Sequence, residues 1–344
     1  FLMKKLKYFL LSAMFVSVGV FAQEQEQEKP ERKPGHVNIN KFRQMYNEFS
    51  TPNMFRTGSG APGPEYYQQQ ADYKMDLVLN DDKASLSGFE TITYTNNSPD
   101  ELKFLWVQLD QNMRAKDSKT PLIESSGTQK LQPAANFSKS YMEEAPERGF
   151  NIQQVSDVNG KPLPHMINGT MMRVELPKPM NTGDKFSFQI KWWYNINNHV
   201  TEGGRSGYEY FEDSDNKIYV MAQFYPRMAV YNDVEGWQNS QFFGRDEFAL
   251  PFGNFEVNIT VPDDHVLDGT GRLTNRSEVF SKEMMKRFEK AKKSFDEPVE
   301  IVTQKEAEAA AKKKSKGTKT WKLYAENVRD FGWTSSRLHI WDMM

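Results

Sequence analysis

Hydrophobic residues recurring with a period of two, turn signals between the runs, and no long helix between most of them predict an all-β protein. The architecture expected is an antiparallel β-sandwich or open, saddle-like barrel, with a helical insertion near the C-terminus. In "DYKMDLVLN", Tyr73, Met75, Leu77 and Leu79 face one side, while Lys74, Asp76 and Asn80 face the other. "NDDK" is a turn whose Asp side chains bond to their own backbone, and "ASLSGFETITYTNNSPD" is the return strand. "ELKFLWVQLDQN" sets Leu102, Phe104 and Trp106 against Leu105, Val107 and Leu109, which predicts burial on both faces. Phe186, Phe188, Ile190 and Trp192 alternate with Lys185, Ser187, Gln189 and Lys191. Phe255, Val257, Ile259 and Val261 alternate with Glu256, Asn258 and Thr260, and Pro262 ends that run. "TKTWKLYAENV" is one more strand.

Between these last two strands the period changes. Phe280, Met284, Phe288, Ala291 and Phe295 fall at helical spacing in a stretch dominated by Ala, Glu and Lys. Residues 276–317 therefore form a helical insert, and residues 318–344 return to strand. Acidic residues interleave the lysines, which marks a solvated face rather than a nucleic-acid or membrane patch. The insert is expected to be dispensable for folding, because a shorter loop closes at small entropic cost, ~0.6 kcal/mol per doubling of length.

The first residues read as an address. "MKKLK" precedes the apolar run "YFLLSAMFVSVGVFA", and Val20-Phe21-Ala22 suits signal peptidase. Residues 1–22 are a signal peptide by this reading, with cleavage before Gln23. The mature protein is expected to be exported, periplasmic or secreted, with no membrane attachment after cleavage. Residues 23–64 form a polar, Pro/Gly-rich linker, in which Phe42, Met45, Tyr46 and Phe49 suggest a short amphipathic helix. The folded β domain spans residues 65–344.

Composition removes several chemistries. Among 344 residues, Lys and Arg total 44 against 46 Asp and Glu, so no basic field attracts nucleic acid. With 0 Cys, disulfides, thiolate nucleophiles and Cys-based zinc sites are excluded. His36, His165, His199, His265 and His339 are scattered, and no H-E-x-x-H occurs. His165 and His265 both sit in turn-like, surface contexts. Adjacent acids, Glu143-Glu144 and Asp263-Asp264, read as solvated loop residues. "EGGRSG" (202–207) joins β segments without a following helix, so it is a flexible loop rather than a phosphate cradle. Asp330-Phe331-Gly332 matches a kinase magnesium triplet, but the catalytic loop, Gly-rich loop and strand Lys that such an Asp requires are missing.

Four phrases in order carry a family resemblance: "YKMDLVLNDDKASLSGFETITYTNNSPDELKFLWVQLDQN", "YVMAQFYPRMAVYNDVEGW", "GRDEFALPFGNFEVNITVPDDHVLDGTGRL" and "YAENVRDFGWTSS". Together they resemble the N-terminal β domain of aminopeptidase-N-like (gluzincin) zinc metallopeptidases, especially exported forms of Bacteroidetes-type bacteria. The resemblance implies that zinc, its H-E-x-x-H and Glu ligands, and the exopeptidase motif belong to a following catalytic domain. This chain would then be non-catalytic alone and hold no cofactor. Its partners would be its own downstream catalytic domain and the peptide substrates of the whole enzyme. The resemblance also implies that Gln223, in "MAQFYPRM", lies at the rim of the active site near the substrate's free amine. The alternative is a free-standing exported β-sandwich that binds glycan or peptide through Trp192, Trp193, Tyr194 and Trp237.

Overall fold

The computed structural model describes residues 52–123, 138, 146–245 and 249–344. The signal segment, the linker up to residue 51 with its amphipathic stretch, and Glu143-Glu144 lie outside the described residues. The chain begins its sheets with β1 (Gln70–Asn80), β2 (Ser85–Thr95), β3 (Leu102–Gln108) and β4 (Asn151–Asp157). Then come β5 (His165–Asn168), β6 (Met171–Met180), β7 (Lys185–Asn195), β8 (Gly207–Phe211) and β9 (Asn216–Met221). Three two-residue strands follow, β10 (Arg227–Met228), β11 (Tyr231–Asn232) and β12 (Gly236–Trp237). The chain continues with β13 (Gly253–Pro262), β14 (Val266–Gly269), β15 (Arg272–Leu273) and β16 (Val299–Val302). It closes with β17 (Thr318–Val328), β18 (Trp333–Ser336) and β19 (Trp341–Met343).

A seven-stranded sheet runs β15-β17-β13-β1-β2-β7-β4, and two four-stranded sheets run β10-β3-β6-β5 and β14-β18-β9-β8. None closes into a barrel, so the protein is all-β and sandwich-like. Pairing is antiparallel apart from β1 with β13, which runs parallel in the register Tyr73↔Phe255 to Val78↔Thr260. The hairpin partner β2 occupies one edge of β1, so the strand arriving from across the chain takes the other.

The alternation places the core where the sequence puts it. Tyr73, Met75, Leu77 and Leu79 are buried, as are Phe188, Ile190 and Trp192, and Phe255, Val257, Ile259 and Val261. Gly88 interrupts the inward row of β2 for a steric reason: a Cβ there would run into the Trp192 ring on β7. The two-sided burial expected for β3 is met only in part. A bulge between Leu102 and Phe104 turns Leu102 to the side of Leu105, and both are buried with Val107 and Leu109. Phe104 and Trp106 stay half-buried, and the Arg173 guanidinium covers Phe104 at 3.9 Å from its ring centre.

The insert differs most from expectation. It carries helix α1 (Lys282–Ala291), capped by Ser281 accepting from Met284 N, and helix α2 (Gln304–Lys312), which opens with a Thr303/Glu306 capping box. Between them lies β16, which pairs with the C-terminal β19. Phe280 is buried and meets Phe288, Trp321 and Trp341 edge-on, with ring centres 5.6–6.1 Å apart. Phe295 lies beyond the end of α1 and is 83% exposed, so the predicted stripe stops at Ala291. The insert thus forms a wall of the core.

Candidate functional site

After β9 the chain makes a tight turn, residues 222–226, before β10. Phe224 and Tyr225 are both buried, and Phe224 packs against Phe331 and Trp333. To bury this pair directly after Met221, the backbone passes through the left-handed region at Gln223, φ +53°. For a residue with a Cβ that conformation costs roughly 1–2 kcal/mol, so it persists only if its surroundings hold it.

They do so from three sides. Gln111 Nε2 donates to the Gln223 carbonyl at 2.8 Å, and Ser206 Oγ accepts from Ala222 N at 3.1 Å. Arg227, 3% exposed, anchors the far end. Its Nε donates to Asp110 Oδ2 at 2.9 Å and its Nη1 to Asp330 Oδ2 at 2.8 Å, while the Tyr225 hydroxyl donates to Asp330 Oδ1 at 2.9 Å. Burial pushes the Asp110 carboxyl up, and the Arg227 charge pulls against it. Burial likewise opposes the charge of Arg227, but Asp110 and Asp330 outweigh it and hold the guanidinium ionised. The role of Asp330-Phe331-Gly332 is therefore structural, since the Asp closes this network and Phe331 stacks on Phe255 in the core. The Gln223 side chain is half-buried, and its carboxamide makes no hydrogen bond among the described residues. A fixed backbone presenting an unengaged amide can both donate to and accept from a polar ligand.

A second polar cluster joins the β1–β2 turn to β9, β14 and the segment after β18. Arg337 is buried and donates to Asp81, Asp264 and Asn216 over 3.0–3.3 Å. The Tyr219 hydroxyl donates to Asp81 Oδ1 at 2.8 Å. Burial opposes ionisation of Asp81, but this hydroxyl and the cations around it leave its pKa below the ordinary value. The surface setting expected for His265 is overturned. The ring is fully buried, with Nδ1 3.0 Å from Ser335 Oγ. Burial, reinforced by the Arg337 charge, lowers its pKa to about 4. Asp81, Asp264 and His339 also face it, the two carboxylates acting in the opposite sense.

The sign of the resulting pH dependence follows. Above pH ~6.5 the imidazole is neutral in both folded and unfolded chains, so this contribution is fully present. Between ~6.5 and 4 only the unfolded chain takes up the proton, and stability falls by an amount on the order of 3 kcal/mol. Urea unfolding between pH 4 and 7 should show this decline, and His265→Gln should flatten it. An equally steep decline in that variant would place its origin in other groups.

The remaining sequence candidates do not converge. His165 bonds to the Leu163 carbonyl, His199 lies 3.8 Å from Glu209, and His339 lies 3.3 Å from Thr334. Among the described residues no group of three or more His, Cys, Asp or Glu is placed to hold a metal. The described residues do not fit a zinc site, and no zinc step is assigned to them. In "EGGRSG", Gly204 leaves room for the Arg114 guanidinium, and Glu202 forms a fork with Arg148 at 2.6 and 3.0 Å. Trp192 and Tyr194 are buried and Trp237 packs against Tyr231, so the aromatic stripe suggested as a binding face belongs largely to the core. A depression of about 600 Å³ on the seven-stranded sheet pairs several of its polar groups with one another, Asn258 with Asp76, Thr260 with Thr320 and Lys322 with Glu278. Sequence reasoning missed Gln111 and Arg227. Their partners lie 103–117 residues away, and no local pattern signals them.

No family model matches the chain, and no curated protein matches it. Among solved structures, it is similar to the M1 zinc metallopeptidase from Deinococcus radiodurans, with 11% identity and a TM-score of 0.40 over 78% of this chain and 42% of that one. A mutant of that enzyme bound to a Tyr-Ser-Ala substrate gives 11% identity and a TM-score of 0.39 over 78% and 42%. A two-domain M1 zinc metallopeptidase mutant bound to L-tryptophan gives 12% identity and a TM-score of 0.39 over 80% and 44%. The chain thus spans less than half the length of each of these structures.

Proposed function

We propose that this chain is the substrate-flanking β domain of an exported, zinc-dependent aminopeptidase, non-catalytic by itself. In this reading its partner is a downstream catalytic domain that supplies the zinc and its ligands. The Gln223 turn carries the proposal: a left-handed residue fixed by Gln111 and Arg227, with its carboxamide unengaged. An amide oxygen so placed accepts a hydrogen bond from a protonated amine, the group that an aminopeptidase must recognise. The four family-like phrases supply the reaction class, and "MAQFYPRM" contains the turn itself.

The test compares this chain with the complete gene product. The chain alone, given zinc, is expected to cleave no aminoacyl anilide. The complete product is expected to bind zinc and cleave one, with H-E-x-x-H in the reading frame beyond residue 344. A downstream frame without that motif, or a complete product without peptidase activity, contradicts the reading.

A further inference from the structure

We propose that a cleft of about 240 Å³, with residues 56 and 66–69 on one side and residues 230–232, 249–252 and 329 on the other, binds an apolar group bearing a single carboxylate, the size of one amino-acid residue. This inference stands independently of the peptidase reading. The cleft is preformed. Residues 53–65 close on themselves through Gly63 N donating to the Phe55 carbonyl at 2.7 Å and Glu65 N donating to the Met54 carbonyl at 2.9 Å. Arg56 pins this loop to the opposite wall through Asp233, at 2.9–3.0 Å. The Tyr231 hydroxyl, donating to Asp100 at 2.7 Å, fixes that wall in turn.

The lining states the ligand chemistry. Tyr67, Tyr231, Leu250 and Pro251 give an apolar floor, and Phe252 stands at the lip, 40% exposed. Two guanidiniums line the cleft, but they are not equivalent. The charge of Arg56 is spent on Asp233, whereas no carboxylate pairs with Arg329 among the described residues. The exposed Arg329 guanidinium beside an aromatic floor suits one carboxylate on an apolar body, since the guanidinium fork matches a carboxylate in two parallel hydrogen bonds. The volume lies below the range of about 300–1,000 Å³ usual for drug-sized ligands, which limits the occupant to one residue or its equivalent. Two sources share this chemistry: the C-terminal residue of a peptide and a free aromatic acid.

Titration calorimetry with N-acetyl-L-phenylalanine, its C-terminal amide and 3-phenylpropionate tests the assignment. The acid is expected to bind at least ten-fold more tightly than its amide, and Arg329→Gln should erase that difference. Phe252→Ala should weaken acid and amide alike. Arg329 and Phe252 are both exposed, so unchanged thermal unfolding verifies that the variants fold. Tighter binding of N-acetyl-L-phenylalanine than of 3-phenylpropionate identifies a peptide terminus as the source, and the reverse order a free acid. Equal affinity for acid and amide, no binding of either at 10 mM (about −2.7 kcal/mol by the affinity scale), or a preference that survives Arg329→Gln overturns the proposal.

Discussion

Replacing Arg227 by methionine is expected to cost about 3–5 kcal/mol of folding stability. The guanidinium is 3% exposed and sits between Asp110, 2% exposed, and Asp330. A methionine fills much of the same space, so packing changes little. The loss comes from Asp110, left with a buried carboxylate and no cation. That carboxyl already lacks a hydrogen bond at Oδ1, so it has no spare partner to fall back on. Urea unfolding should show the loss, and Asp110→Asn in the same chain should recover much of it, because a neutral amide tolerates burial better. An exposed pair gives the contrast. Lys74 and Glu256 lie 3.0 Å apart but are 59% and 50% exposed, and Lys74→Met should shift stability by less than about 1 kcal/mol. A change that small at Arg227 would show that the network does not hold the turn.

Deleting residues 282–312 and closing the gap with a short turn is expected to abolish cooperative unfolding. Closing a shorter loop gains only ~0.6 kcal/mol per halving of its length. Against this, the deletion removes Ala291, Ile301 and Val302, all buried, and Met284, Met285 and Phe288, which pack on the core. It also strips the partner strand from β19 and bares Phe280 and Trp341. At about 1.5–3 kcal/mol for each large apolar side chain, the loss is on the order of 10 kcal/mol, comparable to the whole stability of a typical domain. Circular dichroism and tryptophan fluorescence in urea should show a broad, non-cooperative change. A sharp transition at the original midpoint would return the insert to the status of a solvated loop.

Where local pattern decides the structure, the fold was legible. Alternation alone identified the inward rows of β1, β7 and β13, because a half-buried strand must hide every second side chain. Where distant partners decide, it was not. "VPDDHVLDG" is polar and turn-like in sequence, yet His265 is buried because Arg337 and Ser335 arrive from some seventy residues later. β16 is four residues long within a Lys/Glu-rich stretch, and only its pairing with β19 makes it a strand. At the site, Gln223 was picked out by resemblance, but its left-handed backbone was not foreseeable. That conformation follows from burying Phe224 and Tyr225 while Gln111 and Arg227 hold the flanks, through contacts whose partners all lie more than a hundred residues away in sequence.

The most direct test of the proposed function is the effect of Gln223→Ala on steady-state cleavage of an aminoacyl anilide by the complete gene product. A hydrogen bond to a charged amine is worth about 1.5–3 kcal/mol, and it is made equally in the ground and transition states. KM should therefore rise about ten-fold or more while kcat changes far less. Gln223→Gly, which relieves the left-handed backbone but also removes the amide, should show the same rise in KM with equal or greater thermal stability. An unchanged KM in both variants would contradict the account, leaving the turn a purely structural feature of the β domain.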